Sequence, residues 1–98
     1  MKPFHEKYFI IKLSNRMEVL GYKISKHLER YMSGIRSFIK TEWIARVILE
    51  PEFVEEVSEE EVRLWKKIPE FGNRFLRVVV NPKDKIIITA FFDRRFRR

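Results

Sequence analysis

Apolar and polar residues alternate most regularly in the last third of the chain, and this pattern predicts a β-hairpin. Residues 75–80 and 86–92 are rich in β-branched and aromatic side chains, and Asn81, Pro82 and Asp84 between them are typical turn residues. Every even-numbered residue of both segments is apolar, as expected when one face of a hairpin packs on the core. The even-numbered residues predicted to be buried are Leu76, Val78, Val80, Ile86, Ile88, Ala90 and Phe92.

The expected pairing of the two strands follows from keeping these even-numbered residues on one face. A three-residue loop then sets Asn81 opposite Lys85, and the same register sets Arg77 opposite Thr89. The odd-numbered face mixes such polar side chains with apolar ones. We therefore expect that face to be half exposed and to bring a guanidinium next to a hydroxyl.

Two segments that precede the hairpin have helical spacing. Over residues 26–35, apolar side chains recur at intervals of three and four after Ser25, which is a good N-cap residue. Over residues 42–50, an apolar stripe follows Thr41, the expected cap of a second helix. Pro51 should end that helix, because the residue before a proline avoids helical dihedral angles.

Three further segments favour extended structure. Residues 8–13 and 53–57 are rich in aromatic and β-branched side chains, and they predict a strand or arm and a short strand, respectively. Residues 58–61 resemble a helix capping box, but residues 62–68 also fit a strand, which we favour. The order of elements predicts an α+β fold, in which two short helices pack on a twisted antiparallel sheet.

Composition narrows the class of protein. The chain has 98 residues, no cysteine and two histidines, which suits a single domain with no disulfide, zinc or other cofactor. We divide it into an arm over residues 1–21 and a core over residues 22–98. No apolar run reaches the roughly 18 residues of a membrane span, and no signal peptide is evident, so the sequence predicts a cytoplasmic protein without a membrane partner.

Charge is divided into three blocks along the chain. The net charge of +7 comes from +6 over residues 1–49, −7 over residues 50–61 and +8 over residues 62–98. The last block ends in four arginines around a phenylalanine, which suits contact with phosphates and an exposed base. Trp43 and Trp65, by contrast, are expected in the core. The residues predicted to bind nucleic acid, RNA foremost, are Lys66, Lys67, Arg94, Arg95, Arg97 and Arg98.

Parts of the chain resemble the barnase, EndoU, colicin and RelE fold, in particular its small RelE-like domains of toxin type. These parts are residues 24–31 at the first helix start, Pro51 with Phe53 and Val54 after the second helix, and residues 76–80 and 88–91 in the hairpin. The resemblance implies a metal-independent endoribonuclease, often a toxin neutralised by an antitoxin protein. It also implies that His27, Arg77 and Thr89 carry the catalysis.

The chemistry of these three residues fits such a reaction. Cleavage of RNA without a metal needs a base, an acid and cations that stabilise the charge growing on the phosphate. His27 could act as base or acid, because imidazole exchanges protons close to neutral pH. Arg77 could bind the phosphate through two hydrogen bonds, and Thr89 could position an oxygen.

Two other classes of function fit the sequence. A non-catalytic nucleic-acid-binding module needs only the basic surface and exposed aromatic rings. A protein-interaction module would use the apolar part of the odd-numbered face and the arm at residues 8–13, because an unpaired strand can extend another sheet. Both a monomer and a homodimer are compatible with the sequence.

Overall fold

The computed structural model describes residues 18–96, which build a six-stranded sheet with two helices on one face. The elements are β1 (Glu18–Val19), β2 (Tyr22–Ile24), α1 (Lys26–Ser33), α2 (Thr41–Leu49), β3 (Phe53–Ser58), β4 (Glu61–Ile68), β5 (Arg74–Asn81) and β6 (Ile86–Phe92), with a 3-10 turn at Pro69–Phe71. The strand order is β1-β2-β6-β5-β4-β3. Neighbouring strands are antiparallel except for the parallel pair β2 and β6. The predicted α+β class is confirmed.

The core lies between the two helices and one face of the sheet. Leu28 of α1 and Ile44 of α2 are fully buried there, together with Leu76 and Val78 of β5. Val19 of β1 joins this core, at the end of the segment predicted as an arm. The strand predicted over residues 8–13 lies outside the described residues. Between residues 18 and 96, no helix has the length and apolar character needed to cross a bilayer.

The start of α1 is fixed by Ser25, as predicted. The Ser25 hydroxyl accepts a hydrogen bond from the backbone N–H of Leu28 (3.0 Å) and donates one to the carbonyl of Ile88 in β6 (2.8 Å). One side chain therefore caps the helix and joins it to the sheet. The helix ends at Ser33, two residues before the predicted end, and Gly34 follows it.

The second helix, α2, occupies the predicted segment, but the prediction that Thr41 caps it is wrong. Thr41 is the first helical residue, and Lys40 is the N-cap residue without a side-chain hydrogen bond to the helix. The helix begins one residue early because the Lys40 carbonyl already accepts hydrogen bonds from the N–H groups of Trp43 and Ile44. Its last residue is Leu49, just ahead of the proline predicted to stop it.

The two strands predicted between the helices and the hairpin are present as β3 and β4. No helix follows Ser58, so the capping-box alternative is wrong. The Ser58 hydroxyl instead accepts a hydrogen bond from the N–H of Glu60 (3.1 Å) and closes the turn between the two strands.

The hairpin of β5 and β6 is present, but its predicted register is wrong. Arg77 pairs with Phe91 rather than with Thr89. At the turn, Asn81 pairs with Ile86 rather than with Lys85. Two side-chain hydrogen bonds between Asn81 and Asp84 close this longer turn.

Two changes produce the register error, a turn that is one residue longer than predicted and a β-bulge in β6. Pairing shifts by one residue between Val79 and Val80. Ile87 is fully buried in the core, whereas Ile88 is 36% exposed and Ile86 is half-buried opposite Asn81, so the even-numbered pattern fails at Ile86 and Ile88. Phe92 is partly buried against the core. The even-numbered residues buried as predicted are Leu76, Val78, Val80 and Ala90.

We expect the bulge to separate two otherwise identical substitutions. Ile87→Ala should lower the free energy of unfolding by about 2 to 5 kcal/mol, because it leaves a cavity in the core. Ile88→Ala should cost about 1 kcal/mol or less, because the side chain is partly in water. Urea unfolding of both variants measures the difference. Equal losses, or a larger loss for Ile88→Ala, would contradict this register.

Candidate functional site

The sheet face opposite the helices, which we call the outer face, carries the odd-numbered residues of β5 and their cross-strand neighbours. The register places on it Phe53, Arg63, Trp65, Lys67, Phe75, Arg77, Val79, Thr89 and Phe91. Trp65 and Val79 are buried there, although both helices lie on the other side. The expected burial of Trp43 and Trp65 is confirmed, but the two rings lie on opposite faces of the sheet.

Asp93, the first residue after β6, holds the outer face together. Its Oδ2 accepts a hydrogen bond from Nε1 of Trp65 (3.0 Å) and lies 3.5 Å from Nη1 of Arg77. Its Oδ1 accepts a hydrogen bond from the backbone N–H of Arg95 (3.1 Å), and its carbonyl accepts one from that of Phe96 (3.3 Å). Asp93 therefore ties the chain beyond β6 to the sheet.

Arg77 is enclosed within the outer face. Its Cζ lies 5.4 Å from the ring centroid of Trp65 and 5.2 Å from that of Phe91. The Arg77 side chain is 23% exposed, and its Nε is buried without a hydrogen-bond partner among residues 18–96. The ion pair with Asp93 and the two ring contacts engage the guanidinium within the protein, so its geometry is that of a structural group.

His27, Arg77 and Thr89 are not brought to one place. Arg77 and Thr89 share the outer face. His27 lies on α1, which packs on the other face, and its exposed imidazole meets the ring of Tyr31 edge-on, with centroids 4.5 Å apart. Within residues 18–96, no hydrogen bond, ion pair or ring contact joins His27 to Arg77 or Thr89.

Arg36 lies at the edge of β6, between Tyr31 of α1 and Phe91 of the outer face. Its Nη1 donates a hydrogen bond to the Ala90 carbonyl (3.2 Å). Its Cζ lies 4.3 Å from the ring centroid of Tyr31 and 5.6 Å from that of Phe91. The guanidinium of Arg36 therefore occupies a backbone carbonyl to which a further strand could otherwise pair along the second half of β6.

An open pocket of about 430 Å³ lies at one end of the sheet, where β4 and β6 end and β5 begins. We call it the basic pocket; it is lined by Lys67, Asn73, Arg74, Phe75, Phe92, Asp93, Arg94 and Phe96. It brings together Lys67 and Arg94, both predicted to bind nucleic acid, and adds Arg74. None of these three cations forms an ion pair with a carboxylate of residues 18–96.

The other cations predicted to bind nucleic acid are placed differently. Lys66 precedes Lys67 in β4, so its side chain leaves the opposite face, where Nζ donates a hydrogen bond to the Glu50 carbonyl (2.9 Å). Arg95 is exposed beyond β6. Arg97 and Arg98 lie outside the described residues.

The position of Arg74 is set by the turn between β4 and β5. Gly72 and Asn73 both have left-handed backbone conformations, with φ of 68° and 58°, which suits glycine and asparagine. The N–H of Asn73 donates a hydrogen bond to the carbonyl of Ile68 (3.1 Å), so the chain reverses and β5 starts at Arg74. A glycine and asparagine pair before a basic strand residue is the signal that could have identified Arg74.

The same turn is held to α2 by an ion pair. Arg46 donates two hydrogen bonds to the carboxylate of Glu70, at 2.9 and 2.8 Å. These bonds lower the pKa of Glu70 from 4.5 to about 2. The positive charge of Arg46 also balances the negative charge of Glu70 close to the basic pocket, so Glu70 does not offset the cations of the pocket.

The two ends of β4 differ in charge. The turn between β3 and β4 contains Glu59 and Glu60, and the carboxylate of Glu60 lies 3.8 Å from Nζ of Lys83. The basic pocket lies at the other end of β4. One carboxylate of the acidic block lies near the pocket, since Oε2 of Glu52 accepts a hydrogen bond from the backbone N–H of Lys67 (3.2 Å), whereas the carboxylates of the β3–β4 turn lie at the far end.

No three histidine, aspartate or glutamate side chains within residues 18–96 are grouped as metal ligands. A scan against models of known protein families, a search of curated proteins and a search of solved structures each found no match to this chain.

We expect the carboxylate of Asp93 to be important for stability. Asp93→Ala leaves Nε1 of Trp65 without an acceptor and Arg77 without its counter-charge, so it should lower the free energy of unfolding by about 2 to 3 kcal/mol. Asp93→Asn keeps one acceptor and should lose less. Glu59→Ala, at an exposed carboxylate, is the control for chemical denaturation. Stability of Asp93→Ala equal to that of the control would show that the carboxylate is dispensable.

The Arg46–Glu70 pair should make stability depend on pH in the acid range. Folding lowers the pKa of Glu70, so the pair stabilises the protein fully above pH 4.5 and progressively less as the pH falls towards about 2. Glu70→Gln carries no charge at any pH. Melting temperatures of both proteins should therefore differ most at pH 6 and converge near pH 2. A constant difference across this range would contradict the assignment.

Proposed function

We propose that this protein is a binding module for single-stranded nucleic acid, RNA foremost, and that the basic pocket is its binding site. The observation that carries the proposal is the grouping of Lys67, Arg74 and Arg94, which form no ion pair within residues 18–96, around aromatic rings at one end of the sheet. Cations that follow a phosphate backbone beside rings that stack on bases are the usual components of such sites.

The electrostatics of the sheet support a polyanionic ligand. Lys67 leaves β4 on the outer face, whereas Arg74, opposite Ile68, leaves β5 on the other face, where its Cζ lies 5.6 Å from the ring centroid of Phe71. Both line the pocket at the end of the sheet, and Arg94 lines it from beyond β6. The carboxylate of Asp93 also lines the pocket, but it faces Arg77 and Trp65. The pocket therefore presents a net positive charge to a ligand, while the carboxylates of the β3–β4 turn repel phosphates at the far end.

The aromatic rings favour a single strand over a duplex. Phe75 and Phe92 line the pocket and are only half buried, so parts of their surfaces are accessible. Bases of a single strand can stack on such rings, whereas bases inside a duplex are already stacked on one another. The site gives no reason to prefer one base sequence.

The geometry favours binding over cleavage. A general acid or base must lie within hydrogen-bond reach of the proton that it transfers. His27 lies across the sheet from Arg77 and Thr89, and Arg77 is already paired with Asp93. We therefore treat the ribonuclease activity implied by the resemblance as the alternative that the experiment below must detect or dismiss.

The proposal predicts salt-dependent binding that depends on three particular cations. Fluorescence anisotropy of a labelled oligouridine gives the association constant at several salt concentrations. The slope of its logarithm against log salt is negative, and its magnitude should decrease by about 0.7 for each cation removed from a phosphate contact. The variant Lys67→Ala/Arg74→Ala/Arg94→Ala should thus lose both affinity and slope. The matched control Lys23→Ala/Lys26→Ala/Lys83→Ala removes equal charge from the opposite end of β6 and should change both less.

Equal effects of the two triple variants would mean that only net charge matters and would reject the basic pocket as the site. An oligothymidine of the same length measures any preference for RNA. The RNA should remain intact during incubation with a chelator, and His27→Ala should bind normally. Cleavage that disappears in His27→Ala would favour the ribonuclease instead.

A further inference from the structure

The outer face contains a small aromatic box that holds one side chain from beyond β6. Phe53, Trp65 and Phe75 surround the ring of Phe96, with centroid distances of 5.2, 4.6 and 5.0 Å, respectively. The Phe96 ring lies nearly parallel to Trp65, at an interplanar angle of 17°, and is tilted against the other two rings. A parallel ring on a tryptophan is also the arrangement of a nucleobase stacked on an aromatic side chain.

We propose that this box is a nucleobase-binding site and that Phe96 occupies it as a displaceable plug in the free protein. The proposal rests on the function proposed above and adds where a base would bind. Phe75 and Phe96 belong to both the box and the basic pocket, so the two are contiguous. A nucleotide whose phosphate contacts Lys67 or Arg94 would therefore have its base next to the box.

The attachment of Phe96 is local, which allows it to leave. The backbone of Asp93 donates a hydrogen bond to the carbonyl of Phe75 (2.9 Å), and this is the last backbone hydrogen bond to another strand among residues 18–96. Beyond it, the N–H groups of Arg95 and Phe96 both bond to Asp93 itself. Rotation of the chain after Asp93 would thus move Phe96 out of the box without breaking the sheet or the Arg77–Asp93 pair.

Exchange of a ring for a base keeps the box filled. Phe96 and a base would make the same kind of stacking contact with Trp65, so the exchange itself gains little. Contacts of the attached phosphates with the pocket cations would supply the difference. A backbone without bases has nothing to place in the box, and this distinguishes base binding from attraction of any polyanion.

The experiment compares Phe96→Ala with wild type for an oligouridine and for an abasic oligomer of equal length. In wild type only the fraction of molecules whose box is free of Phe96 can accept a base. Phe96→Ala removes this competition, so it should tighten oligouridine binding roughly three- to tenfold. Binding of the abasic oligomer should not change. Ile35→Ala, which shortens an 80% exposed apolar side chain, is the matched control and should behave like wild type.

A second readout follows the box directly. The chain has two tryptophans, so Trp43→Phe leaves Trp65 as the only indole. Oligouridine should change the Trp65 fluorescence, and the abasic oligomer should not.

Unchanged or weaker oligouridine binding by Phe96→Ala, or its failure to fold in circular dichroism, would overturn the plug, because a displaceable side chain cannot be required for either. Salt-dependent binding at the basic pocket would still stand in that case. Absence of oligonucleotide binding by wild type and Phe96→Ala alike would instead reject the proposed function itself.

Discussion

Both faces of β5 are buried, and the two helices can cover only one of them. Val78 is fully buried on the helix side, and Val79 is 5% exposed on the outer face. The cover of the outer face comes from aromatic side chains of neighbouring strands and from the chain beyond β6. Polar groups within that cover need partners, since a buried unpaired donor or charge is costly. Asp93 accepts the hydrogen bond of Trp65 and supplies the counter-charge of Arg77, whose Nε stays without a hydrogen-bond partner among residues 18–96. The basic pocket forms beside the cover.

The two helices, the strands β3 to β6 and much of the core could be predicted because their signals are local, whereas β1 and β2, of two and three residues, were not predicted. Ser25 marks a helix start through its side-chain hydrogen bond, and Pro51 marks a helix end because it disfavours helical dihedral angles in the preceding residue. The register of the hairpin could not be predicted, because residues 86–88 are three isoleucines that fit either face equally well. At the bulge, the Ser25 hydroxyl donates a hydrogen bond to the carbonyl of Ile88. These two residues are 63 positions apart, so no local sequence pattern indicates the bulge.

The candidate site was predicted in part, for a similar reason. Composition identifies the basic residues late in the chain. It does not show which guanidinium forms an ion pair with which carboxylate. Arg77 was expected to bind a phosphate, but its partner is Asp93, the residue directly after the neighbouring strand β6. The predicted strand over residues 62–68 already implies that Lys66 and Lys67 lie on different faces, since consecutive strand residues point to opposite faces.

The separation of charge between the two ends of the sheet also affects encounters in solution. A molecule with the acidic β3–β4 turn at one end and the cations of the basic pocket at the other has an electric dipole along its strands. In the field of a polyanion such a molecule experiences a torque as well as an attraction, and it turns its positive end forward before contact. Electrostatic guidance of this kind raises association rates and weakens as ionic strength rises. Opposite charge at the two ends thus favours productive orientation in the first collision.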